Sequence, residues 1–145
     1  MTFLNDNNPT VTPERLAELE SQLDNKLPQD YKSFLLEHNG GTPEKTLFQI
    51  PDCDGDALVD YFLGIDRPNG DLLDWKEELA DDLGEEYLPI AFDPGGNALL
   101  LKLSEGTILY WDSARHFPVS TDEENTFWIA DSFTQLLSSL RKFDS

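Results

Sequence analysis

The chain has 145 residues, with 29 Asp plus Glu against 10 Lys plus Arg and a formal net charge of −19; that length suits one domain with a buried core. So negative a surface repels phosphate, because binding a nucleic acid or an anionic lipid leaflet needs Lys and Arg, so direct nucleic-acid and membrane binding are excluded as expected functions. One cysteine, Cys53, and two histidines, His38 and His116, exclude a disulfide framework and a Cys/His zinc site.

The opening residues, with Asn5, Asn7, Asn8 and Pro9, read as a loose leader over 1–11 ahead of a single domain. They lack the basic and apolar stretches of a secretory signal, and no apolar run reaches the roughly 20 residues of a spanning helix, so a soluble, cytoplasmic protein is expected. Thr12 caps a helix with Pro13 at its first position, and Leu16, Leu19 and Leu23 recur on one face. Leu27-Pro28 breaks it and starts a second helix carrying Tyr31, Phe34 and Leu35, which Asn39-Gly40-Gly41 stops in a left-handed turn.

Residues 46–50 and 58–65 are short runs rich in Phe, Ile, Val and Tyr, bounded by Pro51, Asp52, Asp54 and Gly55, and read as strands; 58–63 also fits a short helix. Asp71 caps a helix that runs to Gly84, with Leu72, Trp75 and Leu79 as its apolar stripe and Glu77, Glu78, Asp81 and Asp82 on the wet side. Runs 88–92, 98–103 and 107–111, separated by Asp93-Pro94-Gly95-Gly96-Asn97 and Ser104-Glu105-Gly106, form an antiparallel meander. A loop over 115–125 with Pro118 precedes a strand or turn at 126–129. Ser132 and Gln135 then make a capping box for a final helix carrying Phe133, Leu136, Leu137 and Leu140, with Arg141 and Lys142 in its last turn. Helices, strands, a middle helix, a meander and a closing helix make the fold class α+β.

Four segments resemble, in order, those of the SUKH superfamily. Leu27-Pro28-Gln29-Asp30-Tyr31-Lys32-Ser33-Phe34-Leu35 with Asn39-Gly40-Gly41 is similar to its LP-x-D opening. Pro89-Ile90-Ala91-Phe92-Asp93 with Gly95-Gly96-Asn97, then Ile108-Leu109-Tyr110-Trp111-Asp112, then the run from Ile129 through Ser132 and Phe133 to Leu137 follow, so the resemblance spans 12–143. It implies a Smi/Knr-type α+β fold. It also implies a non-enzymatic immunity protein whose partner is a cognate toxin domain, or alternatively a regulatory or scaffold module of the same fold. The Asn39 to Gly41 and Gly95 to Asn97 segments themselves read as structural turns.

No chemistry of the chain's own is expected, and no cofactor. Asp52-Cys53-Asp54-Gly55-Asp56 superficially suggests a calcium loop, but the sixth and twelfth positions are Ala57 and Leu63 where Gly and Glu are needed, so no metal is assigned. Pairing Asp52 with Asp56, or Cys53 with His38, gives no activated nucleophile, and no G-x-S-x-G, P-loop or G-x-G-x-x-G occurs.

The charge is uneven. Residues 52–93 carry fourteen acids against two bases, a net of −12. The candidate partner-binding residues are Asp54, Asp56, Asp71, Asp74, Glu77, Glu78, Asp81, Asp82, Glu85 and Glu86, with Tyr61, Trp75 and Tyr87 as candidate aromatic anchors among them. A toxin that cuts nucleic acid carries a basic groove, and an acidic inhibitor is steered into it.

Overall fold

In the computed structural model, residues 10–51, 55–67, 71–79, 86–103, 105–111 and 126–142 are described. Among them lie four helices, α1 (Pro13–Leu23), α2 (Gln29–Glu37), α3 (Leu72–Glu78) and α4 (Phe133–Ser139). The strands are β1 (Leu47–Ile50), β2 (Gly55–Leu58), β3 (Tyr61–Phe62), β4 (Tyr87–Phe92), β5 (Ala98–Lys102), β6 (Ile108–Trp111) and β7 (Thr126–Ala130). β1 and β2 form an antiparallel pair, and β3-β4-β5-β6-β7 a five-stranded antiparallel sheet in chain order. The fold is α+β.

The start of α1 and the stop of α2 act as expected, but α1 ends at Leu23 on a left-handed Asp24 (φ 53°) rather than at Leu27-Pro28. The Thr12 hydroxyl accepts the Arg15 N–H at 3.2 Å, and Leu16, Leu19 and Leu23 are buried. The Glu20 carboxylate accepts the Leu27 N–H at 2.8 Å and lies 3.7 Å from Lys32, which fixes the link to α2. After α2, Asn39 takes φ 49° and Gly40 φ 87°. A Cβ on Gly40 would meet the Phe62 and Leu63 carbonyl oxygens at 2.6 and 2.7 Å, so only glycine lets this turn reach β3. There Gly41 and Phe62 exchange both backbone hydrogen bonds, at 3.0 and 2.7 Å.

Strand pairing decides which side of the sheet each residue faces. Phe62, Leu99 and Tyr110 face inward, where Phe62 meets Phe34 and Phe133 at 5.3 and 5.8 Å between ring centroids and Tyr110 meets Phe48 at 5.8 Å. α2, α4 and β1 therefore cover the inner side. The other side carries the row Tyr61, Phe92, Ala98, Trp111 and Thr126, neighbours in register, and the row Pro89, Leu100, Leu109 and Trp128. α3 lies over this outer side, with Trp75 edge-on to Phe92 at 4.7 Å and the Lys76 ammonium donating to the Tyr87 carbonyl at 2.9 Å.

Five further expectations need correction. Val11, placed in the leader, is 5% exposed and belongs to the core; residues 1–9 lie outside the described set. Gly55, read as a boundary, opens β2 opposite Ile50, because the backbone groups of β1 need a partner and pairing outweighs the low strand propensity of glycine. The 58–65 run is neither a continuous strand nor a helix. Val59 N–H donates to Thr46 and Asp60 N–H to Phe92, both at 2.8 Å, so the chain passes from one sheet to the other within one residue. α3 ends at Glu78, with Leu79 as its C-cap, rather than running to Gly84, which lies outside the described residues, as does the 115–125 loop. α4 stops at Ser139: Leu140 turns extended and is buried, and Arg141 exchanges two 2.9 Å backbone bonds with Leu47 instead of continuing the helix.

Candidate functional site

The residues that carry the resemblance are mostly engaged in holding the fold. Asp30 Oδ1 accepts the Tyr31 N–H at 2.8 Å, and its Oδ2 accepts both the N–H and the hydroxyl of Thr134 at 2.9 Å, so a carboxylate of α2 supplements the start of α4. Asp93 Oδ1 accepts the N–H groups of Gly95 and Asn97 at 2.9 and 2.8 Å, while its Oδ2 accepts the Tyr110 hydroxyl at 2.6 Å. That one side chain closes the β4–β5 turn and ties it to β6. At α4, Ser132 Oγ accepts the Gln135 N–H at 3.1 Å, and Gln135 Oε1 accepts from Asp131 N–H at 2.7 Å, one residue earlier than the expected box.

The acidic candidates divide by what they touch. Asp71 is half-buried; its two oxygens accept the Asp66 N–H at 2.6 Å and the Asp74 N–H at 3.2 Å, so its charge is spent on capping α3. Asp56 sits on β2, 3.7 Å from Arg141. Asp74, Glu77 and Glu78 share one exposed face of α3 by their i, i+3, i+4 spacing and have no cationic partner among the described residues. Glu86 is exposed just before β4. Asp54, Asp81, Asp82 and Glu85 lie outside the described residues, as do Asp52, Cys53 and His116.

Of the aromatic candidates, Tyr87 is 6% exposed and belongs to the core. Tyr61 and Trp75 are half-buried and both pack on Phe92, at 5.9 and 4.7 Å between ring centroids, and burial pushes the Tyr61 phenol above its ordinary range. Trp128, which the sequence places only in a strand or turn, is 36% exposed at the β7 edge. No local signal reveals this, because alternation says which residues share a face and not how far a neighbouring element covers it.

Beside α3, Asp66 stands in the left-handed region at φ 60° and forms a two-pronged ion pair with Arg15, both contacts at 3.0 Å. Hydrogen bonding to that guanidinium holds the Asp66 carboxyl below the usual range.

A hollow of about 460 Å³ between α2, α4 and the approach to β1 is lined by Asp30, Lys45, Thr134 and Leu137 among others, but both Asp30 oxygens are already committed to backbone and hydroxyl donors. Among the described residues no group of three or more His, Cys, Asp or Glu is placed to hold a metal, and no helix is long and apolar enough to cross a membrane.

The model of the SMI1 / KNR4 family (SUKH-1) matches residues 10–139. The SPbeta prophage-derived uncharacterized protein YokK of Bacillus subtilis (strain 168) is 30% identical over 146 residues, covering 89% of this chain and 74% of that protein.

Proposed function

Since the chain belongs to the SMI1 / KNR4 family (SUKH-1), whose bacterial members are in many cases toxin-immunity proteins, we propose that it binds one cognate toxin domain and neutralises it by covering its active site, without catalysis. The observation that carries this reading is the exposed Asp74, Glu77 and Glu78 face of α3, with no cation to pair it among the described residues, in a chain of net charge −19.

Carboxylates gathered in one place repel each other and cost stability, which fits a partner that brings cations to them. The partner that fits best is a nuclease domain, because a groove that holds phosphates must be basic, and a carboxylate face can occupy it in their place. By their place in the acidic run, Asp54, Asp81, Asp82, Glu85 and Glu86 are further proposed contacts; Asp56, on β2 and 3.7 Å from Arg141, stands apart from the α3 face, and Asp71 contributes by capping the helix that bears it. Electrostatic steering speeds encounter, while packed aromatic contacts hold the complex. The place of action is the cytoplasm, where an incoming toxin meets its target.

The test is capture on the immobilised chain from lysate of its own source, washed at low and then high salt. Each recovered polypeptide is then expressed with and without the chain. A basic polypeptide that elutes with salt, kills cells and is silenced by co-expression is the expected result. Recovery of a housekeeping enzyme or regulator, with no toxin silenced, overturns the immunity reading and favours a scaffold module of the same fold.

A further inference from the structure

A chain with 29 acids and 10 bases offers almost every cation a carboxylate, so a cation left without one is informative. Arg15, Lys32, Lys102, Arg141 and Lys142 each stand within 3.8 Å of a carboxylate. Arg67 and Lys76 donate to the Phe62 and Tyr87 carbonyls, at 3.2 and 2.9 Å. Lys26 and Lys45, both exposed, have neither kind of partner among the described residues. These two are not scattered. Lys45 lines the hollow of about 460 Å³ between α2, α4 and the approach to β1. Lys26 lines a second, of about 290 Å³, between the α1–α2 link, the β5–β6 turn and the start of α4.

The two hollows adjoin. Asp30 lines both, and Ser132 of the smaller is two residues from Thr134 of the larger. The ridge they share is open to solvent, Thr134 being exposed and Asp30 and Ser132 half-buried. The carboxylates lining the hollows are engaged: Asp30 by Tyr31 and Thr134, Glu44 by Lys142, Glu105 by Lys102 and Asp131 by the Trp128 indole N–H. The charge left uncommitted there is that of the two lysines, positive on a molecule of net −19. Beside Lys45, the half-buried Leu137 adds an apolar wall to the larger hollow.

We propose that the two hollows form one docking groove for an extended acidic segment of a protein partner, with carboxylates on Lys26 and Lys45 and an apolar side chain against Leu137. Repulsion from the rest of the molecule disfavours a dense polyanion. At physiological salt that repulsion is screened beyond about 8 Å, so single carboxylates set among apolar residues are what the lysines can receive. The groove goes beyond the immunity reading: it is built by α2, α4 and the α1–α2 link rather than by α3, and it takes an acidic contact rather than a basic one.

The test uses a defined probe, a capped nonapeptide of Gly-Glu-Leu repeats, titrated into the full chain at about 0.15 M salt while amide resonances are followed by NMR. Expected are shifts at Thr134, Ser138 and Gly106, which line the two hollows. Affinity is expected to fall about threefold in Lys26→Gln and in Lys45→Gln, and about ninefold in the double variant, as independent exposed ion pairs would give. Arg141→Gln, which removes the same charge from a cation already paired with Asp56, is expected to leave affinity unchanged. Equal binding of the peptide with Gln in place of Glu, unchanged affinity in the double variant, or shifts confined to other amides overturns the proposal. Larger shifts of the same amides with inorganic pyrophosphate than with the peptide assign the lysines to a phosphate ligand and overturn it too.

Discussion

The side-chain amide of Asn39 clasps the backbone of Ile65: its Oδ1 accepts the Ile65 N–H at 2.7 Å and its Nδ2 donates to the Ile65 carbonyl at 2.9 Å. Asn39 is 2% exposed, so neither bond has water as a substitute. Asn39→Ala leaves two backbone groups buried without partners and forces alanine to φ 49°. It should cost about 2–4 kcal/mol, read as a lower urea midpoint with an unchanged slope.

Gly40 and Gly96 share φ 87° but differ in their surroundings. A Cβ on Gly40 meets two carbonyl oxygens within 2.7 Å, whereas one on Gly96 meets nothing within 4 Å. Gly96→Ala should cost about 1 kcal/mol from backbone conformation alone. Gly40→Ala should cost several times as much, about 3 kcal/mol or more, because the α2 turn must draw back from β3. Thermal unfolding of the two variants side by side checks the contrast.

The Tyr31 hydroxyl is fully buried and has no hydrogen-bond partner among the described residues, and burial holds the phenol neutral far above its ordinary range. Its ring packs on Phe133 at 4.9 Å. Tyr31→Phe keeps that packing and removes a desolvated oxygen, so stability should be unchanged or rise by about 1 kcal/mol in denaturant unfolding. A clear loss would mean that the hydroxyl is satisfied in solution.

The Arg15–Asp66 pair links α1 to the segment before α3. The folded-state pKa of Asp66 lies below its unfolded value, so the contribution is present above about pH 4 and is lost as pH falls through the lowered value. The stability gap between wild type and Asp66→Asn should therefore shrink on acidification from about pH 6 to about pH 3. Because the Asp66 side chain is 60% exposed, salt should shrink it as well. Urea unfolding at several pH values and two salt concentrations reads both effects.

Local chemistry made much of this fold legible. Thr12 and Asp71 accept from the third residue on, Asn39-Gly40-Gly41 turns left-handed, and the Asp93 to Asn97 turn separates β4 from β5. What stayed hidden depends on contacts between distant residues. Gly55 joins a strand because Ile50 needs a partner, and Arg141 leaves the helix because Leu47 does. Gly64 drew no notice in the sequence, yet a Cβ there would lie 2.2 Å from the Asn39 carbonyl. The candidate surface divides in the same way. Helical spacing places Asp74, Glu77 and Glu78 on one face, whereas the exposure of Trp128 follows from β7 standing last in its sheet.

The central claim is that an acidic face of α3 holds a basic toxin domain. The most direct measurement is calorimetric binding of the recovered toxin domain to wild type and to the Asp74→Lys, Glu77→Lys, Glu78→Lys triple variant, after confirming equal unfolding midpoints. The account predicts a loss of affinity of tenfold or more, about 1.4 kcal/mol or greater, that narrows as salt rises. Equal affinity of the two proteins at low salt would contradict it.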